Sequence, residues 1–213
     1  MSRPLPLDHL VYAATDLGET ITRFERGLGV RATCGGRHEA LGTHNAILPL
    51  GPARYIELIA LDPMNPTPPL PPPFGLATLT EPRLASWAVR SVDLAADTLR
   101  AKREGYDPGL TLPVSRTTPD GAPLAWRLTL RPDGFGDGVI PFVIDWGDSP
   151  HPSGSADRGG ASCHLQRFEA SHPRPETIAD ALGALGVELD VQPAPTARLH
   201  ATLRGPAGTL ELR

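Results

Sequence analysis

Lysine is almost missing from this 213-residue chain, where Lys102 stands alone beside 19 arginines. Positive charge is not in surplus either, since the formal net charge is −4. That balance excludes the basic footprint needed to hold nucleic acid or an acidic membrane surface. Long apolar runs are absent, and none approaches the roughly 18 residues of a membrane-spanning helix. The first residues, Met1 to Leu10, carry no apolar signal core, so a cytoplasmic protein is expected. Cysteine is scarce: Cys34 and Cys163 have no ligand spacing and fit a reducing compartment better than a disulfide scaffold. No P-loop or G-x-G-x-x-G is present, and the GFGDG run from Gly134 to Gly138 reads as a turn.

What the chain has in quantity is proline, 25 residues, and glycine, 22 residues. They are concentrated. Seven prolines fall between Pro63 and Pro73 (PMNPTPPLPPP), a segment unfit for helix or inner strand. A second loose stretch, GDSPHPSGSADRGG, has linker composition. These breaks divide the chain into residues 1–61, a Pro-rich connection 62–75, residues 76–146, a linker 147–160, and residues 161–213.

The three pieces share one order of predicted elements. In the first, DHLVYAAT reads as a strand, and Glu19 to Leu28 as a helix with Ile21, Phe24 and Leu28 inward and Gly29 as its stop. Short strands follow around 30–33, 45–50 and 54–60. The second piece repeats this with ASWAVRS, a helix over 93–104, and strands near 110–115, 124–130 and 141–146. The third has CHLQRFEA, a helix over 175–185 and three more strands. ETI…LGV at Glu19 to Val30 recurs at Glu176 to Val187, and GPARYIEL at Gly51 recurs as GPAGTLEL at Gly205. Repeated βαβββ order predicts an α+β fold. Two units pair into a curved mixed sheet around a cleft with helices outside, and a third βαβββ-like unit is appended.

Several segments carry a family resemblance: DHLVYAATDL (Asp8 to Leu17), ARYIELIALDP (Ala53 to Pro63), GGRHEALGTHNAILPLG (Gly35 to Gly51), SRTTPDGAPLAWRL (Ser115 to Leu128) and IPFVIDWGDSPHPSG (Ile140 to Gly154). The chain resembles the vicinal oxygen chelate superfamily, which includes glyoxalase I, extradiol dioxygenases and bleomycin-resistance proteins. It is most similar to the glyoxalase-like domain family, over roughly residues 7 to 190.

The resemblance implies a divalent metal, with one ligand from the first strand and one from the last strand of each paired unit. In the first unit those positions are His9 and Glu57, and strand alternation lets both face the open side. In the second unit Ser86 stands at the first-strand position, where serine is a poor ligand, and Asp145 at the last. The implied set is therefore His9, Glu57 and Asp145, holding Zn, Fe, Mn, Co or Ni, with His151 able to add a ligand from its loop. Pairing the first unit with the third would instead assemble His9, Glu57, Gln166 (or His164) and Glu211.

Other residues complete the expected cleft. Arg90 and Arg127 should project beside Asp145, joined by Arg116 from the SRTTPDG segment, whose Pro119-Asp120-Gly121 reads as a hairpin turn. Converging arginines suit a carboxylate or phosphate, although an internal ion pair with Asp145 explains them equally well. The segment Gly35 to Asn45 reads as a loop that brings His38, Thr43, His44 and Asn45 to the cleft mouth; His38 and His151 are the candidate proton carriers. His172 and His200 read as surface residues. The expected function is a glyoxalase-like small-molecule enzyme, of lyase, isomerase or dioxygenase type, acting on an anionic, oxygen-rich metabolite. The alternative is a metal-free protein that sequesters a small molecule, and the third unit's spare face would suit a homodimer.

Overall fold

The structure, a computed structural model, describes residues 4–131, 135–156 and 162–213. Part of the 147–160 linker and Gly134 of the GFGDG run lie outside the described residues. In the first unit, β1 (Leu7–Ala13), α1 (Leu17–Leu28), β2 (Thr33–His38), β3 (Thr43–Pro49) and β4 (Tyr55–Leu61) follow one another. The second unit holds β5 (Arg83–Arg90), α2 (Leu94–Arg103), β6 (Leu110–Thr117), β7 (Pro123–Leu130) and β8 (Phe142–Asp145). A short α3 (Pro152–Ala156) precedes β9 (His164–His172), α4 (Pro175–Leu185), β10 (Val191–Pro193), β11 (Arg198–Gly205) and β12 (Gly208–Leu212). The fold is α+β, and no described helix is long and apolar enough to cross a membrane.

Local chemistry accounts for the helix limits. Asp16 accepts from the Glu19 amide at 2.8 Å and caps α1, while Gly29 closes it in the left-handed region at φ 74°. Asp93 caps α2 in the same way through the Ala96 amide. Leu10 and Tyr12 point to α1, where the Tyr12 ring meets Phe24 edge-on at 5.2 Å. His9, Val11 and Ala13 therefore face the other side of the sheet.

The first two units join through β1 and β5, which run antiparallel, with His9 opposite Ala88 and Val11 opposite Ser86. The first unit thus pairs with the second and not with the third. The expected curved sheet also closes on itself, in the order β1-β4-β3-β2-β6-β7-β8-β5. Closure is made where β2 meets β6, by the single pair Arg37 with Thr117. Gly36 makes it possible, since a Cβ there would lie 2.1 Å from the Thr117 carbonyl oxygen.

The third unit forms a separate sheet, β10-β9-β11-β12. Its element order matches the other two, but its pairing differs. In the first two units the first strand runs parallel to the last, β1 with β4 and β5 with β8. In the third, β9 runs parallel to β10, so the short crossover through α4 returns beside its own starting strand. This sheet packs outside the barrel: Phe168 meets Trp87 edge-on at 5.0 Å, and the Leu84 amide donates to the Arg213 carbonyl at 2.6 Å. His172, expected on the surface, is buried at the end of β9 and accepts from the Arg174 amide at 3.0 Å.

Candidate functional site

The barrel interior is unusually polar for a space walled by strands. His9 and Glu57 both face it, as alternation requires, with His9 Nε2 3.9 Å from Glu57 Oε2. Asn45 on β3 donates from Nδ2 to Glu57 Oε1 at 2.5 Å. His9 stacks on Tyr55 with centroids 4.6 Å apart and meets Phe142 edge-on at 5.5 Å. Burial, then the negative charges of Asp8 and Glu57, push the Tyr55 hydroxyl well above its ordinary pKa.

Two β-bulges re-aim side chains into this space. On β1, Leu7 pairs with Val89 and His9 with Ala88, leaving Asp8 as the extra residue. Asp8 consequently shares the interior with its neighbour His9. The fully buried carboxylate accepts from His9 Nδ1 at 2.7 Å, Trp146 Nε1 at 3.2 Å and His151 Nε2 at 3.1 Å. Arg90 stands 3.6 Å away. Burial alone would raise the Asp8 pKa, but the hydrogen bonds and charges of His151 and His9 outweigh it and hold the group below the ordinary carboxylate range. The second bulge lies on β2, where Cys34 pairs with Ala46 and Gly36 with Asn45, leaving Gly35 unpaired.

Above Gly35 sit two polar atoms with no hydrogen-bond partner, Asn45 Oδ1 and Arg116 NH1. A Cβ on Gly35 would lie 2.3 Å from the first and 2.9 Å from the second. Arg116 is only 6% exposed and has no carboxylate partner among the described residues. His38 completes this side. It is 5% exposed, its Nδ1 lies 3.0 Å from Thr43 Oγ1, and its ring meets Trp126 edge-on at 6.0 Å. Burial lowers its pKa to about 4, with the charges of Arg116 and His44 acting the same way and Glu57 opposing. His38 is therefore a neutral imidazole at neutral pH. The segment expected as a loop is instead the β2–β3 hairpin, with a short 3-10 turn at Glu39–Leu41. This is why His38 and Asn45 point inward rather than standing at a mouth.

Three expected placements are corrected. Asp145 does not join His9 and Glu57. By the symmetry of the β1–β5 pair, Ser86 matches His9 and Ala88 matches Val11; the partner of Val11 is Glu57, and the partner of Ala88 is Phe142. Phe142 thus holds the position equivalent to Glu57. Asp145, three residues on, has its side chain on the opposite face of β8, where Arg127 NH2 donates to it at 2.6 Å. Arg127 is likewise outside the barrel, and its side chain is 56% exposed. Arg90 does face inward, but its partners are Asp8 and the Ala53 carbonyl rather than Asp145.

The four ligand positions implied by the paired units are therefore His9, Glu57, Ser86 and Phe142. Of these four, Phe142 offers only a phenyl ring, edge-on to His9, and the Ser86 hydroxyl is buried without a hydrogen-bond partner. Among the described residues no three His, Cys, Asp or Glu side chains are placed to hold one ion. The residues present do not fit a divalent metal site of that kind. His151 stands at the barrel end beside Tyr55 and Trp146, bonded to Asp8 and to Ser153 Oγ at 2.8 Å. Sequence reasoning missed Asp8 altogether.

The family model for the glyoxalase-like domain matches residues 7–186, spanning both barrel units and reaching the end of α4. The chain belongs to the glyoxalase-like domain family. This family lies within the vicinal oxygen chelate superfamily, in keeping with the paired βαβββ units. Among solved structures, a hypothetical protein from Staphylococcus aureus superposes with a TM-score of 0.68 at 12% identity, covering 97% of this chain and 98% of that one. The appended third unit is thus part of a fold shared over the full length. A mutant of 4-hydroxymandelate synthase from Streptomyces coelicolor gives a TM-score of 0.52 at 17% identity, covering 99% of this chain and 63% of that one. Methylmalonyl-CoA epimerase from Mycobacterium tuberculosis gives 0.46 at 20% identity, with 70% and 93% covered. No curated protein is a significant match.

Proposed function

We propose that this glyoxalase-like protein is a small-molecule enzyme whose barrel interior binds an anionic, oxygen-rich metabolite and needs no divalent metal. One observation carries the reading: Arg116 is buried, its NH1 has no hydrogen-bond partner, and it shares the space above Gly35 with Asn45, which is bonded to Glu57. A buried cation without a partner is costly, and an anionic ligand supplies the missing charge. Glu57 is then placed to take a proton from a carbon next to the bound oxyanion and to return it, while Arg116 stabilises the negative charge that develops. Return of the proton to the other face or to a neighbouring carbon is isomerisation; where the next carbon carries a leaving group that departs with the electron pair, the same proton loss is a lyase-type elimination. His9, held by Asp8, orients the Glu57 side of the site, and neutral His38 supplies a polar wall that adds no charge.

A thermal-shift screen of carboxylates and phosphate esters tests this, with and without added Zn, Mn or Fe. The wild type should respond to anions whether or not a chelator is present, Arg116→Met should lose the response, and Arg127→Gln should keep it. A response that depends on added metal, or that survives in Arg116→Met, overturns the proposal.

A second reading is a protein that binds such a molecule without converting it. It is favoured by Ser86, a buried unpartnered hydroxyl at a position where catalysis through an imidazole would need histidine. Recovery of an identified ligand chemically unchanged, followed by NMR, separates the two. The proposed setting is the cytoplasm, which suits the free thiols of Cys34 and Cys163. A homodimer is proposed through the exposed apolar pair Leu110 and Leu130, opposite one another on β6 and β7; a monomeric mass by light scattering would remove it.

A further inference from the structure

Outside the barrel, a groove of about 590 Å³ lies between the barrel wall and the third unit. That volume is within the usual range of small-molecule sites, which gather where structural units meet. Leu7 and Trp87 line it from the barrel, Phe168 from β9, and Leu182 and Val187 from the end of α4. Gly183 lines it too, and a Cβ there would meet nothing within 4 Å. Its φ is not positive, so neither conformation nor close approach requires glycine, the poorest helix former after proline. The missing side chain keeps the groove open.

The polar groups at this groove are of three kinds. Arg54, between β3 and β4, and Glu188 are exposed and without an ion-pair partner among the described residues. Asp190 is already engaged, accepting from Gln192 Nε2 at 2.7 Å. The backbone amides of Glu188, Leu189 and Asp190 donate no hydrogen bond among the described residues. An apolar groove thus offers one free guanidinium, one free carboxylate and a short run of free amides.

We infer that the groove takes a short apolar peptide with free ends. Its carboxylate pairs with Arg54, its ammonium with Glu188, and its carbonyls accept from the free amides. A fatty acid leaves Glu188 unmet, and an apolar amine leaves Arg54 unmet. A single amino acid carries both charges but has no peptide carbonyl for the amides and fills less of the groove. The inference is independent of the barrel interior, since Trp87 faces away from it to meet Phe168.

The experiment is an NMR titration of the whole protein with the dipeptide Leu-Phe, its N-acetyl form, its C-terminal amide, and free phenylalanine. The reporters are the Gly183 and Leu189 amides. Leu-Phe should shift both and bind more tightly than phenylalanine. Blocking either end should weaken binding about threefold, the scale of one solvent-exposed ion pair. Acetylation should cost nothing in Glu188→Gln, and amidation nothing in Arg54→Gln. Both side chains are exposed, so both variants keep the fold.

Gly183→Phe should abolish the shift at Leu189. It should melt no lower than the wild type, because phenylalanine is the better helix former and its Cβ meets open space. If it does melt lower, the two charge variants decide alone. Equal affinity for the free and both blocked peptides overturns the inference and marks the groove as purely apolar. Unshifted amides with Leu-Phe at millimolar concentration, or unchanged binding in a stable Gly183→Phe, overturn it as well.

Discussion

Asp8 and His9 are neighbours in a β-strand, yet their side chains share one side of the sheet and are hydrogen-bonded at 2.7 Å. Ordinary alternation would send them to opposite faces. The bulge on β1 brings both inside, and Asp8 then ties His9, Trp146 and His151 together from positions far apart in the chain. Removing one member of such a buried charged group leaves the others uncompensated. Asp8→Ala is expected to cost about 3–5 kcal/mol in urea unfolding, and Asp8→Asn, which keeps an acceptor, distinctly less. A loss below about 1 kcal/mol would be that of a surface pair and would contradict the buried cluster.

His38 makes a prediction about pH. Its ordinary pKa of 6.5 falls to about 4 in the folded protein, so the unfolded chain binds more protons between those values. The stability it contributes is fully present above pH 6.5 and is lost as pH falls through about 4, for a total of roughly 3 kcal/mol. Asp8 acts lower. Its depressed carboxyl contributes stability above the unfolded value of 3.8 that disappears as pH falls further. Urea midpoints measured from pH 7 to pH 4 should decline in the wild type and decline less in His38→Gln. A residual slope is expected from His44, whose pKa is also lowered, chiefly by burial. Identical slopes in the two proteins would mean that His38 is not buried as a neutral ring.

Much of this arrangement was legible in the sequence, and the failures have physical causes. The family resemblance implied His9 and Glu57, and alternation was enough to place both on the inner face of apolar strands. The Pro119-Asp120-Gly121 turn was readable from turn chemistry, and the Gly121 amide indeed donates to the Thr118 carbonyl at 2.9 Å. Asp8 and Gly35 were not readable as site elements, because a bulge adds one residue without changing composition or period. Asp145 was misplaced for a related reason. Strand β8 starts at Phe142, and register against β5, which no local pattern reveals, decides which of its residues looks inward. The repeated ETI…LGV segment marked a helix and its stop in the third unit but carried no information about which strand β9 would pair with.

The outward placement of Asp145 has a consequence for binding. Arg127 and Asp145 form their pair on the outer face, where Asp145 also accepts from the Gly147 amide at 2.9 Å. Arg127→Gln should change stability by no more than about 1 kcal/mol, because its side chain is largely solvated. Asp145→Ala should cost about 1–3 kcal/mol by leaving a backbone donor and a guanidinium unmet. Neither should weaken a ligand held by Arg116. Loss of binding in Arg127→Gln with unchanged stability would return Arg127 to the site and refute the register argument.

Barrel closure depends on Gly36 in a way that a paired substitution can isolate. Gly36 has φ 137° and lies so close to β6 that a Cβ would meet the Thr117 carbonyl oxygen at 2.1 Å. Gly121, in the turn that joins β6 to β7, also has positive φ, 85°, but a Cβ there meets nothing within 4 Å. Gly121→Ala therefore measures the backbone cost alone, about 1 kcal/mol. Gly36→Ala adds a clash against a backbone atom that cannot move without parting the strands, and should cost about 2 kcal/mol more. Hydrogen exchange gives the decisive readout. The amides of Arg37 and Thr117, the only registered pair between β2 and β6, should exchange faster in Gly36→Ala and keep their rates in Gly121→Ala. Because Arg116 and Asn45 stand directly behind that seam, a Gly36→Ala protein that stays folded with an open seam should also admit small anions faster than the wild type. Unchanged exchange at both amides would show that the barrel does not close there.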